Sequence, residues 1–269
     1  MLKARGLEYD ETGDGEPVLL IHGALVADAL LPLTREAALA DRYRLIRYRR
    51  RGHGGSDPIP RSFSMEQQAQ DAAALLSHLE VTRAHVVGHS GGGVIAAALA
   101  VAAPELVHSL VLLEPATMPA DLVSDLNERA APAVEAHRAG DGRRAVDLWM
   151  SLVRVGTDWR TMLASSVPGG AEQAERDTAT FFEVDFPAFR EWRLERTASR
   201  IRQPILYLIG SESGPMFETS KKFFLSLIPH AEEAVVPGVD HAMQMADAKL
   251  VAAPIADFLA HHPIAARAR

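Results

Sequence analysis

Cysteine is absent from the 269 residues. A disulfide scaffold, a cysteine-based metal site and a thiol nucleophile are therefore excluded. No apolar run approaches the roughly 20 residues that a membrane-spanning helix needs, so no membrane partner is expected. The start, Met1-Leu2-Lys3-Ala4-Arg5-Gly6, has neither the apolar stretch nor the cleavage site of a secretory signal, and the cytoplasm is the simplest location. Basic residues are outnumbered, 28 against 35 acidic ones. The net charge of -7 argues against a nucleic-acid partner. Arg49-Arg50-Arg51 is the one dense basic cluster, and it reads as a solvated loop with one structural arginine. There is no internal repeat and no low-complexity tract. Aromatic residues are few, and all three tryptophans (Trp149, Trp159, Trp192) fall in one stretch of the chain.

What is present is the material of a sizeable core. Hydrophobic residues make up 48% and charged residues 23%, as in a globular protein. The length suits a single α/β domain carrying an insertion. Short runs rich in Val, Ile and Leu recur at Val18 to Ile21, Arg44 to Tyr48, His85 to Val87, Ser109 to Leu113, Ile205 to Ile209 and Glu233 to Val236. Continuous apolar strands of this kind suit a parallel sheet buried on both faces. Helical patterns lie between them. Ser64-Met65-Glu66-Gln67 reads as a capping box opening a helix with Met65, Ala69, Ala72, Leu76 and Leu79 on one face. Gly91 to Ala103 and Ala246 to Leu259 read as two more helices. The alternation predicts an α/β fold, a mostly parallel sheet flanked by helices with right-handed crossovers. Residues 118–199 break it: they are helical in pattern and hold the tryptophans and the Phe181-Phe182 pair. We read them as a helical cap inserted in a core made of 1–117 and 200–269.

Gly88-His89-Ser90-Gly91-Gly92 contains G-x-S-x-G, a weak signal alone. Its context sharpens it, because an apolar strand run ends at Gly88 and a helix begins at Gly91. That is the strand-turn-helix setting in which a strained turn lifts a serine hydroxyl clear of the sheet. Gly88 and Gly92 are expected to be glycines because side chains there would collide with the neighbouring helix and strand. A Gly-rich phosphate loop is the rival, but the Lys and spacing of a P-loop are missing. A nucleophilic serine needs a base. His241, in Gly238-Val239-Asp240-His241-Ala242, follows the last strand run and precedes the last helix, on the sheet edge that carries the elbow. An oxyanion needs two donors. The backbone N–H of Gly91 is one, and that of Ala24, in the loop His22-Gly23-Ala24-Leu25 after the first long strand, is the other. His22 reads as a structural residue of that loop.

The order His22-Gly23, Arg51-Gly52-His53-Gly54-Gly55-Ser56, Gly88-His89-Ser90-Gly91-Gly92 and Gly238-Val239-Asp240-His241 resembles the α/β-hydrolase superfamily through nearly the whole chain. The resemblance implies a serine hydrolase with an inserted cap, and a structural role for Arg51 through Ser56 in the active-site wall. Relatives usually carry Asp two residues before that arginine; this chain has Arg49.

A second departure concerns the triad acid. The resemblance places it after the strand Ile205 to Ile209, where the chain reads Gly210-Ser211-Glu212-Ser213-Gly214-Pro215, with Ser213 at the usual Asp position. Two replacements are open. Glu114, in Leu112-Leu113-Glu114-Pro115, ends the strand that follows the helix after Ser90. Zearalenone-lactonase-like enzymes and certain dehalogenases of the superfamily keep their acid at such a place. Pro115 is expected to hold Glu114 in an extended conformation. Glu212, one residue from the usual site, is the alternative.

These residues imply acyl transfer to water: His241 activates Ser90, the carboxylate orients His241, and Ala24 and Gly91 hold the oxyanion. No metal or organic cofactor is called for. The expected partner is a small-molecule substrate, an ester or lactone, with a cap roof drawn from Trp192, Trp149, Met150 and Phe181. Carbon–carbon bond hydrolysis, perhydrolysis and ligand reception are the other readings of the same residues. Monomer and homodimer both fit.

Overall fold

The Val-, Ile- and Leu-rich runs form the centre of an eight-stranded sheet in the computed structural model, which describes residues 1–153, 156 and 158–264. The remaining residues of the expected cap and core (154, 155, 157 and 265–269) lie outside the described residues. The strands are β1 (Leu2–Ala4), β2 (Leu7–Thr12), β3 (Glu16–Ile21), β4 (Tyr43–Tyr48), β5 (Ala84–His89), β6 (Val107–Leu113), β7 (Ile205–Gly210) and β8 (Glu232–Val236). Their order across the sheet is β1-β2-β4-β3-β5-β6-β7-β8. From β4 to β8 every neighbouring pair is parallel. β1 and β2 add an antiparallel edge. The sequence pattern does not announce that edge, because β2 (LEYDET) buries only Leu7 and Tyr9.

The core lies on both faces of the sheet, which is why its central strands are apolar at successive positions. Val86, Leu110, Leu112, Ile205, Tyr207 and Ile209 pack on one side. Val87, Val111, Leu113, Leu206 and Leu208 pack on the other. Helices α1 (Met65–His78) and α2 (Gly91–Ala102) cover the first face. The capping box is present: the Ser64 side chain accepts from Gln67 N, and Gln67 returns a bond to Ser64 N.

Between β6 and β7 the described chain contains no strand. It runs through α3 (Ala120–Arg138), α4 (Gly142–Leu152), α5 (Trp159–Ser166), α6 (Gly170–Arg176), a π-helical turn (Thr180–Asp185) and α7 (Phe186–Glu191). Trp149, Phe181 and Phe186 stack edge-to-face or tilted within it. After β7 come α8 (Pro215–Leu227), which the sequence pattern did not announce, and α9 (Ala248–His261). Asp247 caps α9, whose Val251, Ile255, Phe258 and Leu259 pack on the second face of the sheet. Among the described residues no helix is long and apolar enough to cross a membrane.

Candidate active site

β5 delivers Ser90 to the sheet edge at a backbone φ of 54° and ψ of -120°. A non-glycine residue at positive φ is strained, and three backbone bonds hold it there. Ser90 N donates to Leu113 O at 2.9 Å, and Ser90 O accepts from Gly93 N and Ala116 N at 2.9 and 3.0 Å. The turn leaves no room beside it. A Cβ on Gly88 would lie 2.5 Å from the Gly92 carbonyl, and one on Gly92 would lie 2.2 Å from the Ile21 carbonyl. Gly91, by contrast, faces open space and lines the same cavity as Ser90.

His241 follows β8 and is buried. Its Nδ1–H donates to Glu114 Oε2 at 2.7 Å. With the proton on Nδ1, the tautomer that this bond favours, Nε2 is left as an acceptor. The ring is flanked by Phe217 of α8, stacked at 4.1 Å between centroids, and by His89 at 4.7 Å. His89 Nε2–H donates to the His241 carbonyl at 2.9 Å. Burial, and then the neighbouring His241, push the His89 ring down to about 3, so it stays neutral.

Glu114 is fully buried. Its Oε1 accepts from Gly210 N at 2.8 Å and from the Ser213 hydroxyl. Ser213, at the position where an acid was expected, thus donates to the carboxylate on the next strand. One expectation about Glu114 is corrected: its φ is 43°, in the left-handed region and not extended. Its carboxylate has donors from the β7 end and from His241, while Glu114 N continues the sheet to Leu208 O at 3.0 Å. These bonds outweigh the preference that Pro115 imposes. Glu212 is exposed, accepts from its neighbour Ser211 and makes no bond to His241. Asp240 turns its carboxylate to Ala242 N and Gly156 N, away from the ring.

Ser90 and His241 line two adjoining cavities. One is walled by Ala24, Gly91, Trp149, Phe181, Phe217 and several Met, Leu and Ile side chains. The other is walled by His89, Met150, Val26 and Met245 among others. Both are predominantly apolar. Trp192 is not among the lining residues of either, which corrects its expected place in the roof. It caps α7 where the chain turns extended, and it packs half-buried against the apolar core. Trp149 borders both cavities.

The arginine cluster is also corrected: it is no solvated loop. Arg49 forks onto Asp28 and also reaches Glu8, and Arg51 forks onto Asp71. Arg50 is buried at the cavity wall. It donates to Asp185 Oδ2 at 2.7 Å, to Gly23 O at 2.8 Å and to Gln68 Oε1 at 2.5 Å. Gln68 and His53 donate to Asp185 in turn, at 2.8 and 3.2 Å. Burial alone would raise the Asp185 carboxyl, but Arg50 and His53 hold it far below the usual carboxylate range. His22 is neutral, kept so by burial and by Arg50. Its Nδ1–H meets Gly23 O and its Nε2 accepts from Arg50 N, both at 2.9 Å. Asp185, Gln68 and Phe217 escape sequence reasoning because their partners lie far away in the chain and no local spacing marks them. Among the described residues no group of His, Asp and Glu is arranged to hold a metal ion.

A family profile described as "Alpha/beta hydrolase family" matches residues 18–253. A Mycobacterium tuberculosis protein that carries a non-heme bromoperoxidase name is 41% identical over 108 residues, so the match spans 40% of this chain and 41% of that relative's length. The 2-(acetamidomethylene)succinate hydrolase of Mesorhizobium japonicum is 26% identical over 271 residues, covering 94% of this chain and 91% of the relative. Among solved structures, the enol-lactonase from Burkholderia xenovorans LB400 shares the fold, with a TM-score of 0.78 at 20% identity, over 94% of this chain and 96% of that one.

Proposed function

The chain belongs to the alpha/beta hydrolase family, and from that premise we propose that it is a serine hydrolase acting on a carboxylic ester or lactone of a small apolar molecule. One observation carries the reading. Ser90, on a strained turn, shares a cavity with His241, whose Nδ1–H is held by the buried Glu114 carboxylate at 2.7 Å. In the proposed reaction the His241 Nε2 lone pair takes the Ser90 proton as Oγ attacks the substrate carbonyl. The Ala24 and Gly91 N–H groups receive the oxyanion. As the first residue of α2, Gly91 has an N–H with no intrahelical acceptor, which suits that task. Imidazolium returns the proton to the departing alkoxide, leaving an acyl ester on Ser90. Water, deprotonated by His241, then releases the acid and restores the serine. Glu114 fixes the tautomer and stabilises the imidazolium throughout. Residues 118–199 act in this reading as the cap, and their Trp149 and Phe181 form the apolar roof.

A second reading keeps the acyl-enzyme and changes the acceptor. The bromoperoxidase name of one relative favours interception by hydrogen peroxide, which would release a peracid and regenerate Ser90. Both readings are tested by steady-state turnover of short acyl esters and lactones, with and without peroxide, in wild type and Ser90→Ala. We expect multiple turnovers in wild type and a loss of about 10⁴-fold or more in the variant. Peracid formation would favour the second reading. Turnover that survives Ser90→Ala would refute both.

A further inference from the structure

The loop that carries Ala24 is bent in an unusual way. Ala24 O accepts from Val26 N at 2.6 Å across Leu25, whose φ is +60°. A three-residue turn of that hand is rare and strained, and Leu, unlike Gly, gains nothing from positive φ. The Leu25 side chain is fully buried, which anchors one side of the turn. The backbone groups beyond it are held by a side chain from the helical insertion. Gln173, on α6, donates from Nε2 to Leu25 O at 3.0 Å and accepts at Oε1 from Ala27 N at 2.9 Å. Its remaining N–H meets Asp177 Oδ2 at 2.7 Å, and the same oxygen receives Gly54 N. Gln173 is itself only 6% exposed. All of its donors and an acceptor site are thus engaged, and the amide cannot be reversed without setting N–H against N–H and oxygen against oxygen.

We propose that Gln173 is a positioning residue for the oxyanion hole: its amide locks the strained turn at Leu25 and so fixes the direction of the Ala24 N–H. The inference rests on the serine-hydrolase reading, which supplies the oxyanion. It links the insertion to the chemistry through the donor loop, not through substrate contact, since Gln173 lines neither cavity beside Ser90. An oxyanion donor contributes most when it is already aimed at the charge that develops. Releasing the turn therefore weakens binding of the tetrahedral species and spares binding of the substrate.

The test uses Gln173→Met, which keeps the side-chain length and removes all three hydrogen bonds, and Gln173→Glu, which keeps the acceptor for Ala27 N but sets a carboxylate against Leu25 O and Asp177. Two affinities are measured in each: that of an aryl boronic acid, which forms a tetrahedral adduct on a nucleophilic serine, and that of an ester substrate in a Ser90→Ala background. The expected result is a loss of roughly 10- to 100-fold in boronate affinity and a matching fall in kcat, with substrate affinity nearly unchanged. Glu is expected to be impaired like Met. Equal losses of boronate and substrate affinity would mean a general packing role and would overturn the proposal. So would full boronate affinity in a folded variant. If Gln173→Met does not fold, Gln173→Glu carries the same comparison. Failure of the wild type to form a boronate adduct at Ser90 would instead refute the serine-hydrolase reading, and the positioning role with it.

Discussion

At the scale of single residues, the Glu114 carboxylate shows how position and protonation are set together. Its two oxygens have different tasks: Oε2 takes the His241 Nδ1–H, while Oε1 is tied to Gly210 N and the Ser213 hydroxyl. The second set of bonds stops the carboxylate from turning, so the imidazole is offered one acceptor in one direction. Neutral Gln at this place must set an N–H₂ either against those donors or against the His241 Nδ1–H. The second arrangement forces the opposite tautomer and removes the Nε2 lone pair. We therefore expect Glu114→Gln to lower kcat by about 10⁴-fold, and Glu212→Gln, on an exposed side chain, to leave it close to wild type. The reverse ranking in steady-state kinetics would overturn the assignment of the acid. The sequence singled out both candidates and Ser213. It could not show that the Ser213 hydroxyl donates to the Glu114 carboxylate, because that depends on how the ends of β6 and β7 lie side by side.

At the scale of elements, the segment between β6 and β7 is joined to the sheet edge by polar bonds as well as by apolar packing. The buried Arg50–Asp185 pair is the centre of this joint, with Gln68 and His53 completing the partners of Asp185. Asp185 ends the π-helical turn Thr180–Asp185, and such turns are frequent where a helix must redirect a side chain toward a site. Removing one member of a buried ion pair leaves the other charge without compensation. Asp185→Asn, which strands Arg50 in the cavity wall, is expected to destabilise the fold by about 3–5 kcal/mol. Urea unfolding of wild type and variant measures this directly. A change within about 0.5 kcal/mol, typical of exposed sites, would show that the pair does not carry the joint.

At the scale of the whole molecule, the parts legible in the sequence were those written in local pattern. Apolar runs such as Val-Val at 86–87 marked strands buried on both faces, the Ser64–Gln67 box marked the start of α1, and Gly88 and Gly92 marked the tight turn around Ser90. Less legible were features fixed by distant partners. β2, second from the edge of the sheet, has too few apolar residues to stand out. The arginines at 49–51 looked like a solvated loop because Asp28, Asp71 and Asp185 are remote in sequence. Trp192 and Trp149 could not be told apart as cavity residues, since both are aromatic and only the packing of α4 against Phe181 and Phe186 brings Trp149 to the cavity that Ser90 lines.

The central claim is an acyl-enzyme on Ser90, and mass spectrometry of the protein quenched in acid during turnover of a p-nitrophenyl ester tests it most directly. The account predicts a mass increase equal to the acyl group, located by peptide mapping to the segment containing Ser90 and absent from Ser90→Ala. Sustained hydrolysis by the Ser90→Ala protein, or an acyl group mapped to another residue, would contradict it.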